Sequence, residues 1–232
     1  MTIPSHLDLR TFARSSWIKD LPNHVCYAFL YDEPNHISEN ETFDGISLDS
    51  KYEGRAVRFG KKLYRFFSYV QNSETFNNVQ YVVKMDDDVV LCPTQLFQFF
   101  NNSGINSKTY AGWFHNIDRP TVSYHKRADE AFVMLSRMLI ARIISKEYCN
   151  DDNQEKCDSL GQRFDTNYGG TSLGIWLSDI NDVDALLMNN VIEHNMTYVV
   201  DHLNPKDTFI YHPAKTVKRA QEVYRNCQTL SL

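Results

Sequence analysis

VVKMDDDVVLCP, residues 82–93, sets Asp86, Asp87 and Asp88 in succession between two apolar runs. The segment VQYVVKM (79–85) that enters it is continuous and β-branched, which reads as a buried strand. Pro93 then suits the first turn of a helix over TQLFQFF, and Asn101 to Gly104 stop that helix. In an open α/β sheet, ligands bind at the carboxyl ends of the strands, where this triplet falls. Strand alternation points Asp86 and Asp88 to one face, about 7 Å apart, and Asp87 to the other. Three adjacent carboxylates repel one another and cost several kcal/mol when desolvated without partners. A bound cation removes that cost, and two carboxylates form a hard oxygen site suited to Mn²⁺ or Mg²⁺, with positions left for water and phosphate oxygens.

Outward from the triplet, helices and strands alternate. LDLRTFARSSW (7–17) reads as a helix and VCYAFLYD (25–32) as a buried strand. Between Gly54 and Gln71 the residues Ala56, Val57, Phe59, Leu63, Phe66, Phe67 and Val70 recur at helical spacing. Arg55, Arg58, Lys61, Lys62 and Arg65 fill the other faces, with Lys62 expected in solvent. FVML (132–135) is a second apolar strand that passes through Ser136, a suitable N-cap, into the helix RMLIARIISKEY. The glycine-rich loop GQRFDTNYGGTSLG precedes IWL and a helix expected over 182–190, capped by Asp179 or Asn181. HNMTYVVDH and TFIYHP are expected as short strands around a proline turn. The pattern predicts one α/β domain with a mixed, mainly parallel sheet flanked by helices.

The chain has 232 residues, 42% of them hydrophobic and 23% charged, as in a globular protein with a substantial core. A formal net charge of −5 gives no overall basic field, which argues against a nucleic-acid partner. AFVMLSRMLIARII is the longest apolar stretch, and Arg137 and Arg142 interrupt it well short of a bilayer span. The N-terminus MTIPSHLDLR lacks a secretory apolar core, so any targeting segment is expected upstream.

Five cysteines cannot all pair within the chain. Cys149 and Cys157 bracket the polar loop NDDNQEK, as in a short disulfide of an oxidising compartment, while Cys26 and Cys92 read as buried free thiols. No CxxC pair points to structural zinc. The sequons at Asn40, Asn101 and Asn195 fit a secretory setting.

An ordered set of short motifs resembles the β1,3-glycosyltransferase family of Golgi enzymes, which includes β1,3-galactosyltransferases and N-acetylglucosaminyltransferases and is related to Fringe. Arg10, Arg14 and Trp17 match its R-x-x-x-R-x-x-W element. Asp49 and Tyr52 with Arg58 resemble its D-x-x-Y followed by a basic helix position, and YVVKMDDDVVL its K-x-D-D-D strand. YAGW (110–113), AFVMLSRML (131–139) and GIWL (174–177) resemble its Y-x-G, Y-V-L-S and G-x-x-L segments.

The resemblance implies a GT-A fold, Rossmann-like, carrying out inverting transfer of galactose or an N-acetylhexosamine from a UDP-sugar to a glycan acceptor hydroxyl in β1,3 linkage. It implies Mn²⁺ or Mg²⁺ on Asp86 and Asp88, with His212 as a further ligand. Arg10, Arg14, Arg58, Lys84, Asp86 and Asp87 would bind the sugar nucleotide. The family's base is an acid in E-D-V, where this chain has Gly169, Gly170 and Thr171; Asp165 is the expected substitute. Trp17, Trp113 and Trp176 are candidates for pocket walls, with core packing the commoner fate of such residues. The family's first strand precedes R-x-x-x-R, where only MTIP stands here, so an N-terminally truncated Golgi luminal domain, with its membrane anchor outside this chain, is expected. Two other readings compete: a catalytically silent glycosyltransferase-like binding domain, and a metal-dependent phosphohydrolase. The second is disfavoured by the lack of a further His or carboxylate cluster beside the triplet in sequence.

Overall fold

A computed structural model describes residues 4–31, 37–48, 59–115, 127–145, 169–178, 180–188, 192–193 and 208–229. In chain order the elements are helix α1 (Leu7–Ser15), strands β1 (Phe29–Tyr31) and β2 (Gly45–Ser47), helix α2 (Phe59–Asn72), strands β3 (Tyr81–Met85) and β4 (Val90–Leu91), and helix α3 (Pro93–Asn102). They continue with strands β5 (Thr109–Phe114) and β6 (Ala128–Ser136), helices α4 (Arg137–Ser145) and α5 (Gly169–Ser178), strands β7 (Asp184–Leu187), β8 (Ile192–Glu193) and β9 (Ile210–Tyr211), and helix α6 (Val217–Thr229). The protein is mixed α/β.

It divides into two compact units, the first made of Met1–Ser47, Met85–Ile105 and Met188–Leu232, the second of Leu48–Lys84 and Asn106–Leu187. In the first unit β1 pairs in parallel with β2, and β9 lies between β4, antiparallel to it, and β8, parallel. Helices α1 and α6 pack together, and α6 also packs on β4. A disulfide joins Cys92, at the N-cap of α3, to Cys227 on α6, and the same strand-to-helix junction buries Leu91 and Leu96.

In the second unit the sheet order is β3-β6-β5-β7. β5 runs antiparallel to β6 and parallel to β7, so this sheet too is mixed. Helix α2 packs against α4 and α5, and α5 against β6. The core there includes Phe67, Phe132, Leu135, Ile140, Trp176 and Leu177, all essentially without solvent exposure. Gly112 lies where β5 meets β6: a Cβ on it would stand 3.1 Å from the Ala128 Cβ and 3.2 Å from the Phe132 carbonyl oxygen.

Several expectations need correcting. The helix expected over 182–190 is strand β7, whose residues Asp184 to Leu187 pair in register with Thr109 to Gly112. DALL is too short for periodicity to separate strand from helix, and a neighbouring strand satisfies its backbone groups. Gly169 to Gly174, expected as the end of a glycine-rich loop, belong with IWL to α5. Lys62, expected in solvent, is buried. Cys92 is disulfide-bonded rather than a free thiol, and Cys26 is exposed. Cys149, Cys157 and the segment 194–202 lie outside the described residues.

Candidate metal centre

Strand β3 runs into the aspartates, and the chain turns at once: the Val89 amide donates to the Asp86 carbonyl at 3.3 Å. The following β4 pairs with β9 so that Val90 faces Tyr211 and Leu91 faces Ile210. That register brings the residues just beyond Tyr211 alongside the turn. The Ala214 amide donates to the Asp88 carbonyl at 2.7 Å, and His212 Nε2 stands 3.3 Å from Asp88 Oδ1.

Asp86, Asp88 and His212 therefore converge, each half-buried, with one ligand atom apiece and all of these atoms within 4.8 Å of one another. The separations fit a single ion. With metal–oxygen bonds of about 2.0–2.6 Å, the range from Mg²⁺ to Ca²⁺, cis donors stand ~3–3.7 Å apart and trans donors ~4–5 Å apart. Two carboxylates and one imidazole suit a divalent cation of the Mn²⁺ kind, and three protein ligands leave coordination positions for other oxygens. Both aspartates belong to a turn rather than a strand, so it is the turn and the β4–β9 register that aim them, not pleat alternation.

Asp87 faces the other way. Its side chain is 7% exposed, accepts a hydrogen bond from His6 Nδ1 at 2.7 Å and lies 3.9 Å from Arg10 Nη1. Behind Arg10 runs a buried ionic ladder. Arg10 donates to both oxygens of Glu41, from Nε at 2.7 Å and Nη2 at 2.9 Å. Arg14 donates from Nη2 to Glu41 Oε1 at 3.0 Å, and from Nε and Nη2 to the two oxygens of Asp44, both at 2.8 Å. The Ser38 hydroxyl donates to Glu41 Oε2 at 3.0 Å. Aromatic rings cover the guanidiniums: Arg10 lies 5.3 Å from the Tyr31 ring centre, Arg14 4.6 Å from Phe29 and 5.4 Å from Phe43.

The ladder is strongly polarised. Hydrogen bonds from Arg10 hold the Glu41 carboxyl down at about 2, against its burial, and hydrogen bonds to Asp44 raise Arg14 above the usual guanidinium range. Burial pushes the Tyr31 hydroxyl up to about 12, so it stays neutral beside the pair.

The structure thus brings together Asp86, Asp88 and His212 and directs Asp87 to α1. Arg10 and Arg14, expected on a nucleotide, point their guanidiniums at Glu41 and Asp44, which neutralise and orient them. Lys84 is buried and donates from Nζ to the Glu130 carbonyl of β6, fastening β3 into its sheet. Trp17 and Trp176 are core residues, and Trp113 is half-buried with its ring edge-on to His115, centres 4.6 Å apart. Arg58 and Asp165 lie outside the described residues. His6, Glu41 and Asp44 were missed in the sequence. The signal was there in part: His6, Arg10 and Arg14 recur every four residues, and Glu41 and Asp44 are three apart. No protein-family model matches the chain, and a search of curated proteins finds no significant match.

Proposed function

We propose that this protein is a divalent-metal-dependent glycosyltransferase that moves a hexose from a UDP-sugar to an acceptor hydroxyl. The observation that carries the reading is the convergence of Asp86, Asp88 and His212 at the end of a strand, in a mixed α/β chain whose ordered motifs resemble the β1,3-glycosyltransferases. GT-A is the fold variant this implies. Asp86, Asp88 and His212 would hold Mn²⁺ or Mg²⁺. When bound there, the ion supplies positive charge against a departing diphosphate. By the resemblance, the acceptor oxygen bonds to the anomeric carbon as the bond to UDP breaks, Asp165 takes the hydroxyl proton, and a β1,3-linked galactose or N-acetylhexosamine results on a glycan. The buried Cys92–Cys227 disulfide suits an oxidising compartment such as the Golgi lumen. No helix among the described residues is long and apolar enough to cross a membrane.

One observation favours a second reading, a sugar-nucleotide-binding domain without turnover. Gly169, Gly170 and Thr171 form the first turn of α5, and that turn carries no acid where the resembling family has its base. UDP release separates the two. Turnover of UDP-galactose, UDP-N-acetylglucosamine or UDP-N-acetylgalactosamine that needs Mn²⁺ and is abolished by Asp88→Ala supports the transferase. Mn²⁺-dependent UDP binding on calorimetry without release under any donor supports the silent domain. Absence of both Mn²⁺ and UDP binding refutes both.

A further inference from the structure

His6, Arg10 and Arg14 occupy one face of α1 and its N-cap, at intervals of four residues. Each meets a carboxylate, His6 on Asp87, Arg10 on Glu41 and Arg14 on Asp44, and Arg10 lies between Asp87 and Glu41. We propose that Asp87 is the anchor of the metal-binding turn, held by this ladder and not by the cation, and that His6 and Arg10 are positioning residues for a centre they do not touch. The inference rests on the metal centre proposed above.

Charge explains why an anchor is needed. Three successive carboxylates on a turn repel, and a divalent ion offsets two of them. The ladder engages the third: Asp87 faces Arg10, whose bidentate hold on Glu41 fixes the plane of its guanidinium, and Glu41 is fixed again by Arg14 and Ser38. Asp86 and Asp88 converge with His212, two carboxylates to one divalent cation. Geometry points the same way. The turn backbone is tied by the Val89 amide on Asp86 and the Ala214 amide on Asp88, and the Asp87 side chain supplies a tie on the opposite side. Loss of that tie frees the peptide that sets the separation of the two metal-binding carboxylates.

The test uses the full chain with Asp87→Asn, His6→Ala and, as a reference, Asp88→Ala. Arg10 is fully buried, so its variants risk misfolding, whereas His6 is 34% exposed and its variant keeps the proposal testable. Calorimetric titration with Mn²⁺ alone should show Asp87→Asn and His6→Ala binding ~10-fold or more weakly than wild type, as loss of an outer partner does at metal sites, with Asp88→Ala showing no binding. Hydrogen exchange of the peptide over residues 85–91, read without metal, should accelerate in both variants while the thermal midpoint of His6→Ala stays that of wild type. Affinities within about twofold of wild type together with unchanged exchange overturn the anchor. A wild-type chain that takes up no Mn²⁺ overturns the metal centre, and the inference with it.

Discussion

Glu41→Gln removes a negative charge shared by the buried Arg10 and half-buried Arg14 guanidiniums and leaves an isosteric amide in its place. The Glu41 side chain is 2% exposed and the Arg10 side chain 1%, so water screens little of the interaction. Its carboxyl is lowered from 4.5 to about 2 by Arg10, Arg14 and Ser38. A displacement of that size corresponds to about 3 kcal/mol of folding stability. Removal of one partner of a buried pair, which strands the other charge, costs about 3–5 kcal/mol, and the two routes agree. The sign follows from the depressed folded value: the stabilisation is whole above the unfolded carboxylate range and disappears as pH falls toward about 2. Urea unfolding at pH 7 should therefore show Glu41→Gln less stable than wild type by about 3–5 kcal/mol. At pH 3 the gap should narrow by about 2 kcal/mol, because the wild-type ladder has by then lost most of that contribution. A gap below about 1 kcal/mol at pH 7, or one that is flat between pH 7 and pH 3, would show that the ladder carries no such energy.

The Cys92–Cys227 disulfide closes a loop with a sequence separation of 135, so a chain with both cysteines replaced by serine should be less stable by about 5 kcal/mol on the chain-entropy account; urea unfolding of oxidised wild type against the double variant measures it. Trp176 has no exposed surface, and Trp176→Ala should cost about 3–5 kcal/mol in the same assay. Gly112→Ala forces a methyl to 3.1 Å from Ala128 and 3.2 Å from a strand carbonyl, so the thermal midpoint should fall, by about 1–3 kcal/mol in stability, and Gly112→Val should be worse.

Strongly patterned segments were legible in the sequence. VQYVVKM became β3 and Pro93 opened α3, because a β-branched apolar run and a proline at a helix start act locally. Boundaries were less so. The strand seen in FVML runs from Ala128 to Ser136, because β5 pairs with Ala128 as well as with Val133 to Leu135 and the register shift between them takes up Asp129 and Glu130. DALL became a strand for the same reason, non-local pairing that local propensity does not contain. At the candidate site, the division of Asp86 and Asp88 from Asp87 was readable, but the partners of Asp87 were not. That Asp87 belongs to Arg10 and His6 depends on a fold-back of α1, and Glu41 and Asp44 come from a segment some thirty residues further on. The pairing of Cys92 with Cys227 was likewise hidden, because spacing alone does not specify connectivity.

The division of the first unit into three stretches of chain has a consequence for how the protein is made. Its helix α1 and the ladder acids leave the ribosome first and its triplet later, but β9, His212 and α6 come last. The four-stranded sheet of the second unit is complete in sequence before them, at Leu187. A nascent chain therefore has Arg10, Arg14, Glu41, Asp44 and Asp87 in hand, with Asp86 and Asp88 lacking their imidazole, until the final strand slides beside β4. Contacts of such long sequence separation form slowly, so a chain arrested before residue 210 should retain the second unit's sheet yet hold no competent ion site.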